Sequence, residues 1–133
     1  SWSGKINALT QVAETFMKVE QPQLARRVYA RGLQAAQAIE EESLKSKALM
    51  QVALAFAKSK QSQLARQATE QALKLIRRRK ELEYQSKGFA KSVKAFALIH
   101  NFNQAYQVAS QIRSPDYQLD AYTSIMEEYQ KSK

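Results

Sequence analysis

The six residues QPQLAR stand at positions 21–26, and the nearly identical QSQLAR stands at positions 61–66, 40 residues further along the chain. The similarity extends on both sides of this motif. Residues 5–39 and 45–79 share 14 identical positions out of 35. Unrelated segments of this composition would share only about two or three, so the agreement indicates an internal repeat.

The same pattern continues towards the C-terminus. SKALMQVALAFAK (46–58) corresponds, at the same shift of 40, to SKGFAKSVKAFAL (86–98). The stretch DAYTSIMEEY (120–129) aligns with the first half of the unit after a shorter step of 33. A chain of 133 residues has the length of one domain or of part of a larger array. The expected organisation is a single repeat domain, residues 1–133, with units 5–43, 44–83, 84–115 and the partial unit 116–133.

Composition and periodicity both favour helix. Ala, Gln, Lys, Leu and Glu are abundant, whereas the chain contains only 3 Gly and 2 Pro, a composition that supports helix almost everywhere. Apolar residues in the first part of each unit recur at helical spacing, and a short polar break then precedes a second helical stretch. We expect an all-α protein with seven helices, near residues 5–19, 22–40, 44–59, 62–81, 84–100, 103–113 and 116–131.

A short helical pair of this kind cannot bury its apolar face alone. Stacking of neighbouring pairs buries a continuous core, so the same contacts recur in every copy. The LA of the repeated motif has a physical role in such a stack. Ala25, Ala65 and Ala105 occupy one equivalent place just inside the second helix of each unit. A small side chain there lets the two helices of a pair approach closely.

The arrangement resembles the tetratricopeptide repeat, a helix–turn–helix unit of about 34 residues. The first helices follow its order of large, apolar, small and aromatic residues: Leu9, Val12, Ala13, Phe16; Leu49, Val52, Ala53, Phe56; and Tyr122, Ile125, Met126, Tyr129. The second helix of the first unit matches at Ala25, Tyr29 and Gly32. Two departures are the longer period and the missing closing Pro, where Gln37 and Arg77 stand. The resemblance covers nearly the whole chain and implies a right-handed superhelical array of antiparallel helix pairs, with three hairpins plus a terminal helix.

The residues give little support to enzyme chemistry. With no cysteine, the chain has neither disulfides nor thiolate metal sites nor a cysteine nucleophile. His100 is the only histidine and stands at a predicted helix end, where a polar cap or surface role is the ordinary interpretation. Most acidic clusters fall at helix starts, where negative charge stabilises the helix dipole. We therefore expect a protein that is not an enzyme and that needs no metal and no cofactor.

No apolar run approaches the roughly 20 residues that span a bilayer. The N-terminal residues show no secretory apolar region. Together with the absence of cysteine, this favours a cytoplasmic location.

The positive charge is concentrated in the middle of the chain. The formal charge is +9 in total, and by unit it is zero in 5–43, +7 in 44–83, +4 in 84–115 and −2 in 116–133. Its densest point is a basic collar formed by Arg77, Arg78, Arg79 and Lys80, whose side chains point in successive directions about 100° apart around a helix. One interpretation is a solvated helix end, where the dipole favours cations. The other is an anion-binding site for nucleic acid or acidic lipid.

A second stripe runs along the first helix of each unit, apart from the core stripe. In the second and third units it combines apolar residues with lysines: Lys47, Met50, Leu54, Lys87, Lys91 and Lys94. In tetratricopeptide arrays this face lines a concave groove, so the resemblance implies that these residues bind a partner segment that is both apolar and acidic. Alternatively, the middle first helix is buried on both sides, because a helix that is apolar all round is usually buried.

The leading hypothesis is a non-enzymatic interaction module or scaffold that binds a protein segment in this groove. The alternative is binding of nucleic acid or of an anionic surface through the central basic region. A third class, a structural or self-assembling segment of a larger protein, also fits the residues. Salt dependence discriminates between the first two, because phosphate binding weakens steeply as salt rises. The sequence alone leaves the partner's identity and the oligomeric state open.

Overall fold

A computed structural model describes the whole chain, residues 1–133, and consists of α-helices joined by short connections, with no β-strand. The all-α class and the expected number of seven helices are confirmed. The helices are α1 (Trp2–Lys18), α2 (Pro22–Gln37), α3 (Glu42–Lys58), α4 (Ser62–Arg78), α5 (Leu82–Leu98), α6 (Phe102–Ser110) and α7 (Pro115–Lys131).

The helices recur with the periods seen in the sequence. α1, α3 and α5 begin at residues 2, 42 and 82, and α2, α4 and α6 begin at residues 22, 62 and 102. Both series therefore keep the 40-residue step. α7 begins 33 residues after α5, in agreement with the shorter final step. The second helices differ in length, with 16 and 17 residues in α2 and α4 but only 9 in α6.

Several helix ends differ from the predicted ones by about one turn. α1 begins at residue 2 rather than 5, because the Ser1 hydroxyl accepts a hydrogen bond from the backbone N–H of Gly4 at 3.2 Å and caps the helix. α4 ends at residue 78 rather than 81, and α6 ends at residue 110 rather than 113. After α4, Arg79 already has an extended backbone, with φ −87° and ψ 137°.

The three breaks inside the helix pairs share one backbone geometry. Glu20, Lys60 and His100 are the residues with positive φ, at 59°, 61° and 62°, and they too are 40 residues apart. In each break the next residue donates its N–H to a phenylalanine carbonyl at 2.8 Å, as Gln61 does to Phe56. The left-handed residue itself donates to a carbonyl at 3.0–3.1 Å. These two bonds form the C-cap motif that satisfies the last carbonyls of a helix.

Replacing Lys60 with glycine is expected to raise the free energy of unfolding by about 0.5–1 kcal/mol, because glycine adopts a positive φ without a Cβ clash. Urea unfolding followed by circular dichroism measures the change. Lys60→Ala is the matched control, since it removes the same charge but retains a Cβ in the left-handed conformation. Equal stability of the two variants would contradict a steric cost at this position.

The helices pack in a regular order. α1 contacts α2, α3 contacts α4, and α5 contacts α6, while each even-numbered helix also contacts the odd-numbered helix that follows it. The odd-numbered helices contact one another in the order α1, α3, α5, α7 and so form a row. α3 and α5 are therefore surrounded by several helices, whereas α1 and α7 stand at the two ends of the row.

One hydrophobic core runs through this row. The two alanines of the repeated motif, Ala25 and Ala65, and the equivalent Ala105 are fully buried. Phe56 of α3 is also fully buried, and its ring meets that of Tyr29 on α2 edge to face, with centroids 5.5 Å apart and planes at 86°. This aromatic contact joins the first unit to the second.

The repeat predicts core positions correctly in the middle of the row but not at its ends. Val12 of α1 is 48% exposed, although the equivalent Val52 of α3 is fully buried. In α7, Tyr122, Met126 and Tyr129 follow the core pattern yet remain exposed. The physical reason is a missing neighbour, since within these 133 residues no helix precedes α1 and none follows α7.

Candidate functional site

Side chains of α1, α3 and α5 line a groove with a volume of about 680 Å³. Five of the six residues predicted to bind a partner lie there: Lys47, Met50, Leu54, Lys87 and Lys91. Lys94 is exposed on α5 but does not line this groove. The row of odd-numbered helices thus brings most of the predicted stripe to one place.

A glutamine joins α1 to α3 at one wall of the groove. The side-chain oxygen of Gln51 accepts a hydrogen bond from the Ser3 hydroxyl at 3.0 Å. Its amide nitrogen donates to the Ser3 carbonyl at 3.1 Å and to the side-chain oxygen of Asn7 at 2.8 Å. Uncharged polar groups therefore hold these two helices together.

Lysines stand at the equivalent positions of the next helix interface. By the 40-residue step, Lys91 of α5 corresponds to Gln51, and Lys47 of α3 corresponds to Asn7. Lys87 lies one turn before Lys91 and also lines the groove. The ion pairs of the protein are Arg78–Glu42, Arg79–Glu81 and Lys131–Glu128. Lys47, Lys87 and Lys91 therefore have no carboxylate partner within ion-pair distance, and neither has Lys58, which also lines the groove.

The acidity of Lys91 reflects this environment. Partial burial lowers the pKa of the Lys91 ammonium group, and the charges of Lys87 and Lys47 lower the pKa further. Like charges close together disfavour the charged form. An anion bound among these lysines would relieve that repulsion.

Lys91 is expected to react faster with a limiting amount of acetic anhydride at about pH 8 than Lys74 of α4, because its lowered pKa leaves more of it as the nucleophilic neutral amine. Competitive labelling followed by peptide mass spectrometry measures the relative rates. In the Lys87→Gln variant the pKa of Lys91 should rise and its labelling should slow. An unchanged rate in that variant would contradict the electrostatic cause.

The apolar part of the groove is formed by residues of unequal exposure. Met50 is 3% exposed, and its sulfur accepts a hydrogen bond from the Ser92 hydroxyl on α5 at 3.4 Å. Leu54, one turn further along α3, is half-buried. The stripe was expected either to line a groove or to be buried on both sides. Met50 belongs mainly to the core, as the second interpretation expects, while Leu54 presents surface to the groove, as the first expects.

Two aromatic residues of the groove lie outside the predicted stripe. Trp2, which is half-buried, belongs to the first turn of α1, before the predicted helix start. Tyr84 of α5 forms a hydrogen bond through its hydroxyl with the hydroxyl of Ser46, which is buried on α3. The earlier units have Gly4 and Leu44 at the position equivalent to Tyr84. The change to an aromatic residue at this position was the sequence feature that could have identified Tyr84 as part of the groove.

Two arginines of the basic collar form ion pairs within the protein. Arg78 pairs with Glu42 at 2.8 Å, and Arg79 pairs with Glu81 at 2.8 Å. The hydrogen bond from the Arg79 guanidinium holds the pKa of the exposed Glu81 carboxyl at about 2, well below its usual range. Both guanidinium groups therefore already have a carboxylate partner.

The other two collar residues lie in different surroundings. The Arg77 guanidinium lies over the Phe89 ring, 5.8 Å from its centroid, and donates to the side-chain oxygen of Gln111 at 3.4 Å. Lys80 is exposed, and its backbone carbonyl accepts a hydrogen bond from Arg113 at 3.1 Å. Arg77 and Arg78 end α4, whereas Arg79 and Lys80 lie beyond it, so the four residues do not form a ring around one helix. The three arginines have separate partners, while the Lys80 ammonium group forms no ion pair.

The remaining chemical groups are scattered. His, Cys, Asp and Glu side chains do not come together anywhere in sets of three or more that could hold a metal ion. His100 adopts the left-handed conformation at the end of α5 and stacks on Phe102, with ring centroids 5.5 Å apart. None of the seven helices has the length and apolar character that crossing a membrane requires.

Comparison with family models, with curated proteins and with solved structures finds no match for this chain. The fold defines the class as an all-α protein whose helix pairs recur along the chain, and the groove between its odd-numbered helices is the candidate binding site. The resemblance to tetratricopeptide repeats rests on the residues of the repeated helices, since the 40-residue period is longer than that family's unit.

Proposed function

We propose that the chain is a non-enzymatic interaction module built of tetratricopeptide-like hairpins, stacked as a right-handed superhelical array of antiparallel helix pairs. Its groove binds a protein segment that carries both apolar and acidic side chains. Two features support this proposal. The odd-numbered helices contact one another in sequence, so their equivalent faces lie side by side. The groove between them contains apolar side chains and four lysines, against a single carboxylate, that of Glu14 on α1.

The observation that carries the proposal is the group of unpaired lysines beside apolar surface. Lys47, Lys87 and Lys91 line the same groove as Leu54 and Trp2. Carboxylates of a ligand would supply the partners that these ammonium groups lack, and apolar side chains of the ligand would remove Leu54 and Trp2 from water. A segment with only one of these two properties would satisfy only part of the groove.

The two parts of the groove are expected to affect binding kinetics differently. Exposed charges mainly speed the encounter between oppositely charged partners, whereas apolar contacts mainly set the dissociation rate. Charge reversal in Lys87→Glu/Lys91→Glu should therefore slow association. Leu54→Ala should instead speed dissociation.

A fluorescence titration tests the proposal, because Trp2 is the only tryptophan and lines the groove. The probe is an amphipathic peptide of about 15 residues with Leu and Tyr on one helical face and Asp and Glu beside it. The same peptide with Asn and Gln in place of the acids is its control. We expect saturable quenching or a shift of Trp2 emission with the acidic peptide and a much weaker response with the neutral one.

Variants distinguish the groove from other basic surfaces. Arg27→Glu/Arg31→Glu makes the same charge change as the groove variant on an exposed surface of α2, so it should leave peptide binding nearly unchanged. Equal loss in both variants would show that net charge, and not the groove, attracts the peptide. No binding of the acidic peptide to the parent chain would refute the proposal.

The alternative, binding of nucleic acid, has the net charge of +9 in its favour. Duplex DNA of random sequence is therefore a second probe. Binding that falls steeply with salt, is unaffected by Leu54→Ala and is lost in Arg77→Ala/Arg78→Ala/Arg79→Ala would place the interaction at the basic collar. That outcome would replace the groove proposal.

A further inference from the structure

The last helix presents an apolar face to solvent. Leu119, Tyr122, Met126 and Tyr129 are 67%, 37%, 52% and 48% exposed. They are spaced by three, four and three residues, so they form one continuous stripe along α7. Four large side chains exposed on a single helix face form a contiguous apolar surface, which marks an interaction site more often than isolated apolar residues do.

The repeat shows that this face corresponds to one that is buried elsewhere. Leu49 and Phe56 of α3 occupy the positions of Tyr122 and Tyr129, and they are 2% and 0% exposed. α3 is covered by the even-numbered helices on both of its sides, whereas α7 packs against α5 and one even-numbered helix, α6. The stripe on α7 is therefore a helix-packing face with one of its neighbours missing.

Acidic residues accompany the stripe on one side. At about 100° per residue, Asp116, Asp120 and Glu127 point within about 40° of one another, on one flank of the apolar stripe. Residues 116–133 hold four acids and two lysines, while residues 44–115 hold 14 basic residues and three acids. α7 thus combines an apolar face with an acidic flank on a chain that is otherwise basic.

We propose that the groove of one copy of this chain binds α7 of a second copy, so that the protein associates with itself. This inference rests on the proposed function, because it names the partner of the same groove. The match is one of chemistry: the groove places unpaired lysines beside Leu54 and Trp2, and α7 places carboxylates beside Leu119 and Met126. Charge complementarity favours a second copy over a partner of unspecified sequence.

The occupant belongs to another copy because α7 is already held in place within its own chain. It packs along α5 and against α6, with the Phe102 and Tyr129 rings 5.4 Å apart. Each copy offers one groove and one α7. Reciprocal exchange therefore closes a symmetric dimer, whereas one-way docking builds a chain of copies.

Sedimentation velocity over a range of concentrations tests the inference with two charge-reversed variants. Groove-reversed protein is Lys87→Glu/Lys91→Glu, and tail-reversed protein is Asp120→Lys/Glu127→Lys. None of the four substituted residues forms an intramolecular ion pair, and the Glu128–Lys131 pair is left intact. Each variant alone brings like charges together, so its association should be at least about tenfold weaker than that of the parent chain.

An equimolar mixture of the two variants should associate again, because native α7 then meets a native groove and reversed α7 meets a reversed groove. This recovery is the decisive result, since no general effect of either substitution on folding or net charge produces it. A mixture that stays as monomeric as its components would overturn the inference. So would a parent chain that remains monomeric up to about 1 mM, the upper limit of useful affinity for such contacts.

Apolar variants provide an independent check. Leu119→Gln/Met126→Gln removes exposed apolar surface while keeping strong helix formers, so it should weaken association without lowering helix content. Val12→Gln/Val19→Gln is the matched control at the other end of the row, where both residues are about as exposed. Equal weakening by the control would overturn the assignment to α7.

The same variants separate this inference from the proposed function. Tail-reversed protein retains the native groove, so it should still bind the acidic peptide even though it no longer associates with itself. If the peptide binds and the parent chain is monomeric, only the self-association is wrong. If the parent chain associates but neither Lys87→Glu/Lys91→Glu nor Leu54→Ala affects it, the inference fails, while binding of the acidic peptide still decides the proposed function.

Discussion

Replacing Phe56 with alanine is expected to lower the free energy of unfolding by about 3–5 kcal/mol, the range for truncating a fully buried phenylalanine. The Phe56 side chain has no exposed surface and meets Tyr29 edge to face. Alanine would leave a cavity and remove an aromatic pair. Domains of this size are stable by only about 5–15 kcal/mol, so roughly a fifth or more of the stability depends on this side chain.

The position of Phe56 adds a second expected effect. It lies on α3, while Tyr29 lies on α2, so the contact couples the first unit to the second. In repeat proteins, stability is approximately a sum of unit terms and nearest-neighbour interface terms. Weakening one interface should let the first unit unfold before the others. Urea unfolding should therefore show a broader transition, with a lower apparent m-value, in addition to the lower midpoint.

Phe16→Ala is the natural control, because Phe16 occupies the same position of the repeat on α1 but is only half-buried. Its removal should cost clearly less than the removal of Phe56, since less apolar surface leaves the core. Equal losses would mean that the position in the repeat, and not the burial produced by neighbouring helices, determines the contribution. A Phe56→Ala chain that keeps the parent midpoint would contradict the packing described for the core.

The helical architecture could be predicted because the same residues recur at equivalent positions of the units and make the same packing contacts there. The 40-residue step placed Ala25, Ala65 and Ala105 in one column, and all three are buried. The exposure of Val12 could not be predicted in the same way, because burial depends on a neighbouring helix as well as on the residue itself. Val12 and Val52 are the same residue in the same column, yet only Val52 has helices on both sides.

The left-handed residues show another limit of sequence patterns. Glycine is the usual residue at such a C-cap, but this chain uses Glu20, Lys60 and His100. Three different residue types stand at these positions, so residue type does not predict the positive φ. The three residues are related only by their equivalent positions in the repeat. The polar breaks themselves were predicted, because the apolar periodicity stops there.

Part of the candidate site could be predicted from the stripe on the first helices. The spacing placed Lys47, Lys87 and Lys91 on one face, and they line one groove. Their freedom from carboxylate partners could not be predicted, because it depends on which acids pack nearby. The collar shows the opposite case: Arg78 and Glu42 are far apart in sequence but form an ion pair at 2.8 Å.

Enlarging Ala65 to leucine is expected to cost about 1–3 kcal/mol, because extra methylene groups in a close-packed core force neighbouring groups apart. Ala65 is the alanine of the QSQLAR motif and is fully buried in the first turn of α4. Its carbonyl also accepts a hydrogen bond from the Thr69 hydroxyl at 2.7 Å, which ties the backbone of this turn to the buried face.

The effect of Ala65→Leu should come from α4 moving away from α3, the helix with which it forms a pair. Ala8→Leu is the matched control, because Ala8 is an exposed alanine within α1 and its substitution should change stability by no more than about 0.5 kcal/mol. Urea unfolding of both variants measures the difference. Ala25→Leu and Ala105→Leu should resemble Ala65→Leu, since the three alanines share one column and complete burial. If leucine is tolerated at Ala65 as readily as at Ala8, the conserved spacing of the motif does not reflect a close approach of paired helices, and the physical explanation of the repeat fails.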